Sequence, residues 1–300
     1  MQRDNISMNL GEKIKKLRTD KMMTQSELVG GEITRNMLSR IENGAANPSI
    51  DTVLYIAKRL NVSAGYLLAD ENDEQIFRKH RETVNIKRAF MNEDHRICRD
   101  MCMSAESGDD DEIQMILCEC DLALGIENFN NGNLRECCEF LDEAIENCSK
   151  TLYRTDHIIA MAGVYFRFMR HLSATLCSNI VDEAEINIYP AMTDEFCRYL
   201  LPFESLMEGN SLTEGEILSI GKADSPFCLH LSAKNRMLSG DFEKAYEELR
   251  DILRGETAIP QPVLYFVFSD LEICCKERQD FKGAYEFSID KLELMQKLLR

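Results

Sequence analysis

Residues 24–43 read TQSELVGGEITRNMLSRIEN, and the fold follows from how this stretch is divided. Thr24 and Glu27 stand three apart, as a capping box at the start of a short helix requires. Gly30 and Gly31 supply a turn in which a left-handed backbone is easily reached. Thr34 is placed to cap a second helix. On that helix Arg35, Asn36, Ser39 and Arg40 lie on one side, and Met37, Leu38 and Ile41 on the other. A capped helix with long hydrogen-bonding side chains at its N-terminal end suits the major groove of duplex DNA.

Working outward, residues 9–21 place Leu10, Ile14 and Leu17 at helical spacing, ringed by Lys13, Lys15, Lys16, Arg18 and Lys21. That ring reads as a solvated face. Asn43-Gly44 ends the helix that begins after Thr34, with Gly44 at the C-terminal cap. Ser49 and Asp51 then open a fourth helix, whose buried face is expected from Ile50, Val53, Leu54, Ile56, Ala57 and Leu60. Residues 64–68 form a short fifth helix. Five helices in about seventy residues close a small core of their own.

The chain of 300 residues is too long for one small helical domain. No run of apolar residues is long enough for a transmembrane helix, and the N-terminal stretch lacks a signal-peptide core. Both point to the cytoplasm and to no membrane partner. Twelve cysteines show no paired zinc-like spacing, so they read as reduced, buried thiols, with no metal and no cofactor expected. Charge is divided unevenly: residues 1–70 carry a net +2, and the remainder −19 of the total −17. Attraction to nucleic acid is therefore confined to the N-terminal module.

Three segments organise the chain: 1–70, a helical connector 71–106 rich in Arg and Lys, and 107–300. The last contains repeats. NGNLRECCEFLDEAI, SGDFEKAYEELRDIL and RQDFKGAYEFSIDKL, beginning at Asn131, Ser239 and Arg278, align without gaps. Each is a turn, a Leu or Phe, a small residue and a helical stripe, the pattern of a helix pair forming one layer of a solenoid. Residues 151–220 are helical by pattern but repeat poorly, with Pro190 and Pro202 as expected breaks. The fold class is all-α throughout. The five histidines are scattered, and no H-E-x-x-H, phosphate-binding loop or nucleophile elbow is present, so no enzymatic role is expected.

Residues 9–68 resemble the Cro/C1 or XRE type of helix-turn-helix domain, the lambda-repressor-like fold. The resemblance rests on TQSEL opening helix two, S-R-I-E-N-G closing helix three, and P-S before a Leu-rich fourth helix. It implies that Gln25 bonds a phosphate, that Arg35 and Asn36 face base edges, and that Arg40 reaches a base or a phosphate. Thr34, Ser39 and Asn43 complete the candidate DNA-binding set, and Glu42 reads as structural. Such a domain followed by tetratricopeptide-like repeats is similar in architecture to the peptide-responsive RRNPP regulators. That similarity implies a homodimer on a pseudo-palindromic double-stranded site, with a signalling peptide in the concave face of the repeats. Asn128, Asn131 and Asn235 are candidates for contacting it, although helix ends and loops account for them better. The alternative is an interaction adaptor with little specific DNA binding. A sensor predicts a concave surface with a pocket and convergent Asn or Arg; an unliganded dimerisation or docking scaffold predicts a filled or symmetric interface.

Overall fold

The computed structural model describes residues 9–69, 71–105, 108, 110–172, 194–255 and 257–299, and its named elements are all helices. Two compact units divide between Asn85 and Ile86. That division falls inside α6 (Glu71–Met91).

The first unit holds α1 (Leu10–Asp20), α2 (Gln25–Val29), α3 (Arg35–Glu42), α4 (Ile50–Leu60) and α5 (Ala64–Leu68). Every one begins on a side-chain cap, from Asn9, Thr24, Thr34, Ser49 and Ser63 in turn. Each cap satisfies an amide that the helix itself leaves unpaired. Ile14, Leu28, Leu38, Ile41, Ile56 and Leu60 form the core. The buried stripe of α4 is Thr52, Val53, Ile56, Ala57 and Leu60. Ile50 and Leu54, expected inside, sit at the edge of that stripe and are 73% and 51% exposed. The sequence gives no sign of the role of Gly11. A Cβ there would lie 2.1 Å from the Ile41 carbonyl oxygen, so α1 crosses the end of α3 at a distance only glycine permits.

The second unit is built of helix pairs that share one turn. Gly132, Gly240 and Gln279 hold φ of 81°, 82° and 61°. The residue after each donates its amide to the carbonyl five positions back: Asn133 to Asn128, Asp241 to Arg236, Asp280 to Cys275. This turn joins α8 (Asp111–Asn131) to α9 (Leu134–Cys148), α13 (Pro226–Leu238) to α14 (Phe242–Arg254), and α15 (Gln261–Glu277) to α16 (Phe281–Leu298). These are the three aligned phrases.

The turn occurs once more between α6 and α7 (His95–Ser104). Glu93 has φ of 61°, and the Asp94 amide bonds the Ala89 carbonyl. The pattern continues beyond it: Cys98 and Cys102 are buried where α9 buries Cys137 and Leu141. Moreover, Ile86 of α6 and Cys98 and Cys102 of α7 join Ile113, Leu117 and Cys120 of α8 in one buried cluster. The stretch read from sequence as a connector thus ends in a helix built like the second helix of a repeat. Its signature was hidden because glutamate stands at the left-handed position and thiols replace aliphatic side chains. Position 106, the expected end of that connector, lies outside the described residues.

Pro202 does not break the chain. It lies within α11 (Glu195–Met207), whereas Pro190 falls outside the described residues. α10 (Asp156–Leu172) and α12 (Glu214–Leu218) complete the set. Every cysteine among the described residues is a free thiol, and nearly all are buried, as small hydrophobic side chains in a packed interior are.

Candidate nucleic-acid interface and interior cavity

The exposed face of α3 is defined by what holds its opposite face. The Glu42 carboxylate, 4% exposed, takes Arg18 Nε on one oxygen at 2.7 Å and Arg18 Nη2 on the other at 3.1 Å. Gln25 Nε2 donates to the same carboxylate at 2.8 Å, and Arg18 Nη1 to the Met23 carbonyl at 2.8 Å. One buried carboxylate therefore ties α1, α2 and α3 together. The hydrogen bond that Arg18 donates to Glu42 raises the Arg18 pKa above its ordinary value. The structural role read for Glu42 is this bidentate pair, a geometry that planar guanidinium and carboxylate groups favour.

The turn between α2 and α3 is held from α4. Tyr55 Oη donates to the Val29 carbonyl at 2.8 Å, and Arg59 donates to the Leu28 and Glu27 carbonyls. Gly30 has φ of 56°, and a Cβ on it would lie 2.5 Å from Tyr55 Oη. The glycine-rich linker is thus a packing requirement as well as a turn. Nothing in the local pattern around Tyr55 and Arg59 signals this role.

Thr34 caps α3, its hydroxyl accepting the Met37 amide at 3.1 Å. Arg35, Asn36, Arg40 and Asn43 are exposed, and Ser39 is half-buried. Arg35 and Asn36 spend no side-chain hydrogen bond on the protein among the described residues. Arg40 makes one weak contact, Nη2 to the Ala45 carbonyl at 3.3 Å. Gln25 differs: it is half-buried and held by Glu42, which leaves one amide hydrogen and its oxygen for a ligand. The basic ring on α1 also divides. Lys15, Lys16 and Lys21 are exposed, whereas Lys13 is 3% exposed and donates to the Ala69 carbonyl at 2.8 Å, closing the end of α5. Lys13 and Arg18 therefore belong to the fold, not to a solvated face.

In the second unit, α8, α10, α11 and α15 bring their aromatic residues into one cluster. Phe129, Phe168, Tyr199 and Phe203 are buried at its centre. α13 adds His230, whose ring bridges Tyr199 Oη at 2.8 Å and Asp270 Oδ2 at 3.0 Å. Lys234 Nζ completes the network at 3.0 Å from both Asp270 oxygens. Asp270 as a carboxylate only accepts, so His230 donates from Nε2 and accepts the Tyr199 hydroxyl at Nδ1. Burial lowers the His230 pKa, against the pull of Asp270. Burial alone would raise Asp270, but Lys234 and His230 hold it below the usual carboxylate range.

Two open cavities lie among the described helices of this unit. One, about 600 Å³, lies among α12, α13 and α14. Its polar groups are largely engaged: Asn235 bonds both the amide and the carbonyl of Leu212, and Arg236 Nε meets Glu248 at 2.9 Å. The other, about 540 Å³, is lined by Asn130, Asn131, Tyr165, Asp194, Phe196 and Phe227 among others. Asn130 and Asn131 make no side-chain hydrogen bond among the described residues. Of the three asparagines singled out from sequence, only Asn131 faces a cavity with its amide unspent. Asn128 is engaged with the Leu124 carbonyl and with Asn133.

No group of three or more His, Cys, Asp or Glu among the described residues is placed to hold a metal ion. No helix among them is long and apolar enough to cross a membrane.

Residues 14–67 match the helix-turn-helix family model, which spans the first unit from within α1 to within α5. No curated protein sequence matches the chain significantly. Among solved structures, similar chains include Bacillus thuringiensis PlcR in complex with the peptide PapR7 and DNA, 13% identical, covering 96% of each chain at a TM-score of 0.24. The apo competence regulator ComR of Streptococcus vestibularis is 19% identical over 95% of this chain and 97% of its own, at a TM-score of 0.28. ComR of S. thermophilus, in complex with DNA and its signalling peptide ComS, is 16% identical over 97% and 94%, at 0.27. Scores this low establish no common arrangement, so the fold rests on the helices described above.

Proposed function

We propose that the chain is a non-enzymatic, sequence-specific DNA-binding transcriptional regulator. It acts in the cytoplasm as a homodimer on a pseudo-palindromic duplex site. The observation that carries this reading is the division of labour on α3. Glu42 is buried and fixed to Arg18 and Gln25, while Arg35 and Asn36 stand exposed and unspent at the capped N-terminal end. Arg binds guanine O6 and N7 with two hydrogen bonds, and Asn pairs similarly with adenine N6 and N7. The helix-turn-helix match over residues 14–67 supports the same reading. Gln25, Thr34, Ser39, Arg40 and Asn43 serve as positioning contacts to phosphates or neighbouring bases. The second unit controls the first by taking a short peptide in the cavity lined by Asn130 and Asn131, whose free amides suit a peptide backbone.

Selection of the full-length protein on random duplex DNA tests this. A two-fold symmetric motif with half-sites about one helical turn apart is expected. Recovery of DNA with no enriched motif would favour an adaptor that works through its repeats alone.

A further inference from the structure

The cavity of about 540 Å³ in the second unit has a single carboxylate among its described lining residues, Asp194, and no Lys, Arg or His. Asp194 stands at the N-cap position of α11 yet makes no side-chain capping bond. Its carboxylate instead takes Cys197 Sγ at 3.8 Å and lies near the Tyr165 hydroxyl, whose pKa burial and this carboxylate raise. It forms no ion pair with any described residue. Beside it stand three aromatic rings: Tyr165 and Phe196 with centroids 4.8 Å apart, and Phe196 and Phe227 6.0 Å apart. A carboxylate with no cation partner among the described residues, in a cavity lined by aromatic rings, is a surrounding that stabilises an ammonium or guanidinium group. The side-chain amides of Asn130 and Asn131 at the rim each supply a donor pair and an acceptor.

We infer that this cavity recognises a cationic group of the bound peptide, seated against Asp194 and the rings of Tyr165, Phe196 and Phe227. The cation comes either from a free peptide N-terminus or from a Lys or Arg side chain. Asn130 and Asn131 hold the adjoining peptide backbone. The inference rests on the peptide-sensing reading and narrows it to a ligand chemistry. The strongly acidic composition beyond residue 70 steers such a peptide inward and repels acidic ones.

Affinity selection on immobilised full-length protein, read by mass spectrometry, separates the possibilities. Three pools of random heptapeptides serve as probes: free N-termini without Lys, Arg or His; N-acetylated peptides containing Lys and Arg; and N-acetylated peptides without Lys, Arg or His. Retention of the first or second pool, whichever carries the recognised cation, is expected, with the third at least tenfold weaker. Asp194→Asn, which removes no helix cap, should abolish that tenfold preference while far-UV dichroism and the thermal midpoint stay unchanged. Equal retention of the third pool, or an unchanged preference in Asp194→Asn, overturns the cationic inference and leaves peptide sensing standing. Retention of no pool overturns the peptide reading and the inference together.

Discussion

The two units use buried charge for opposite ends. In the first, Glu42, Arg18 and Gln25 lock three helices so that the far side of α3 carries polar groups with nothing left to satisfy inside. In the second, Tyr199, His230, Lys234 and Asp270 are turned inward and satisfied by one another across α11, α13 and α15. A buried network can therefore either present a surface or fix an interior. Which of these it does is decided by whether any polar group on the same helix is left over. On α3 Arg35 and Asn36 are left over; on α13 Asn235 and Arg236 are spent as well.

The largest effect expected from breaking this contrast is at Glu42. Glu42→Ala leaves Arg18 without its buried partner, and should destabilise the first unit by about 3–5 kcal/mol. Thermal denaturation followed by dichroism should show an early transition absent from the parent protein, with DNA binding lost. Gly11→Ala should cost about 1–3 kcal/mol, because the new methyl group pushes α1 off the end of α3. Urea denaturation would register it as a lower midpoint. Both variants damage the presenting surface from behind.

Acidification should act on the second unit. The unfolded His230 binds a proton near pH 6.5, whereas burial lowers its pKa in the folded state. Below that pH the unfolded chain binds more protons, so stability falls as pH drops from about 6.5. Melting between pH 7.5 and 5.5 should show this loss, and His230→Gln should flatten the slope attributable to the second unit. The smallest effect is at the shared turn: Gln279→Gly, relieving a left-handed non-glycine residue, should raise stability by up to about 1 kcal/mol.

Much of this was legible in the sequence because local chemistry decides it. Thr24, Glu27, Thr34 and Ser49 announce their helices by capping, and Gly132 and Gly240 announce the repeat turn. What escaped depends on contacts between distant segments. Lys13 reads as a surface lysine until Ala69, 56 residues away, is placed beside it. Gly11, Tyr55 and Arg59 carry no local signal, because their partners belong to other helices. The repeat-like turn at Glu93 was masked by a residue that tolerates the left-handed region poorly. Of the candidate site, Arg35, Asn36, Arg40 and Asn43 occupy the exposed face their spacing suggests, whereas Gln25 is shared with the scaffold.

The central claim is that Arg35 and Asn36 read bases and do nothing else. Affinity of Arg35→Ala and Asn36→Ala for the selected site, and for single-base variants of it, tests that claim most directly. Each variant should lose about 1–3 kcal/mol of discrimination at one base step per half-site, with an unchanged thermal midpoint. Loss of affinity spread evenly over all sequences, or no loss at all, would contradict it.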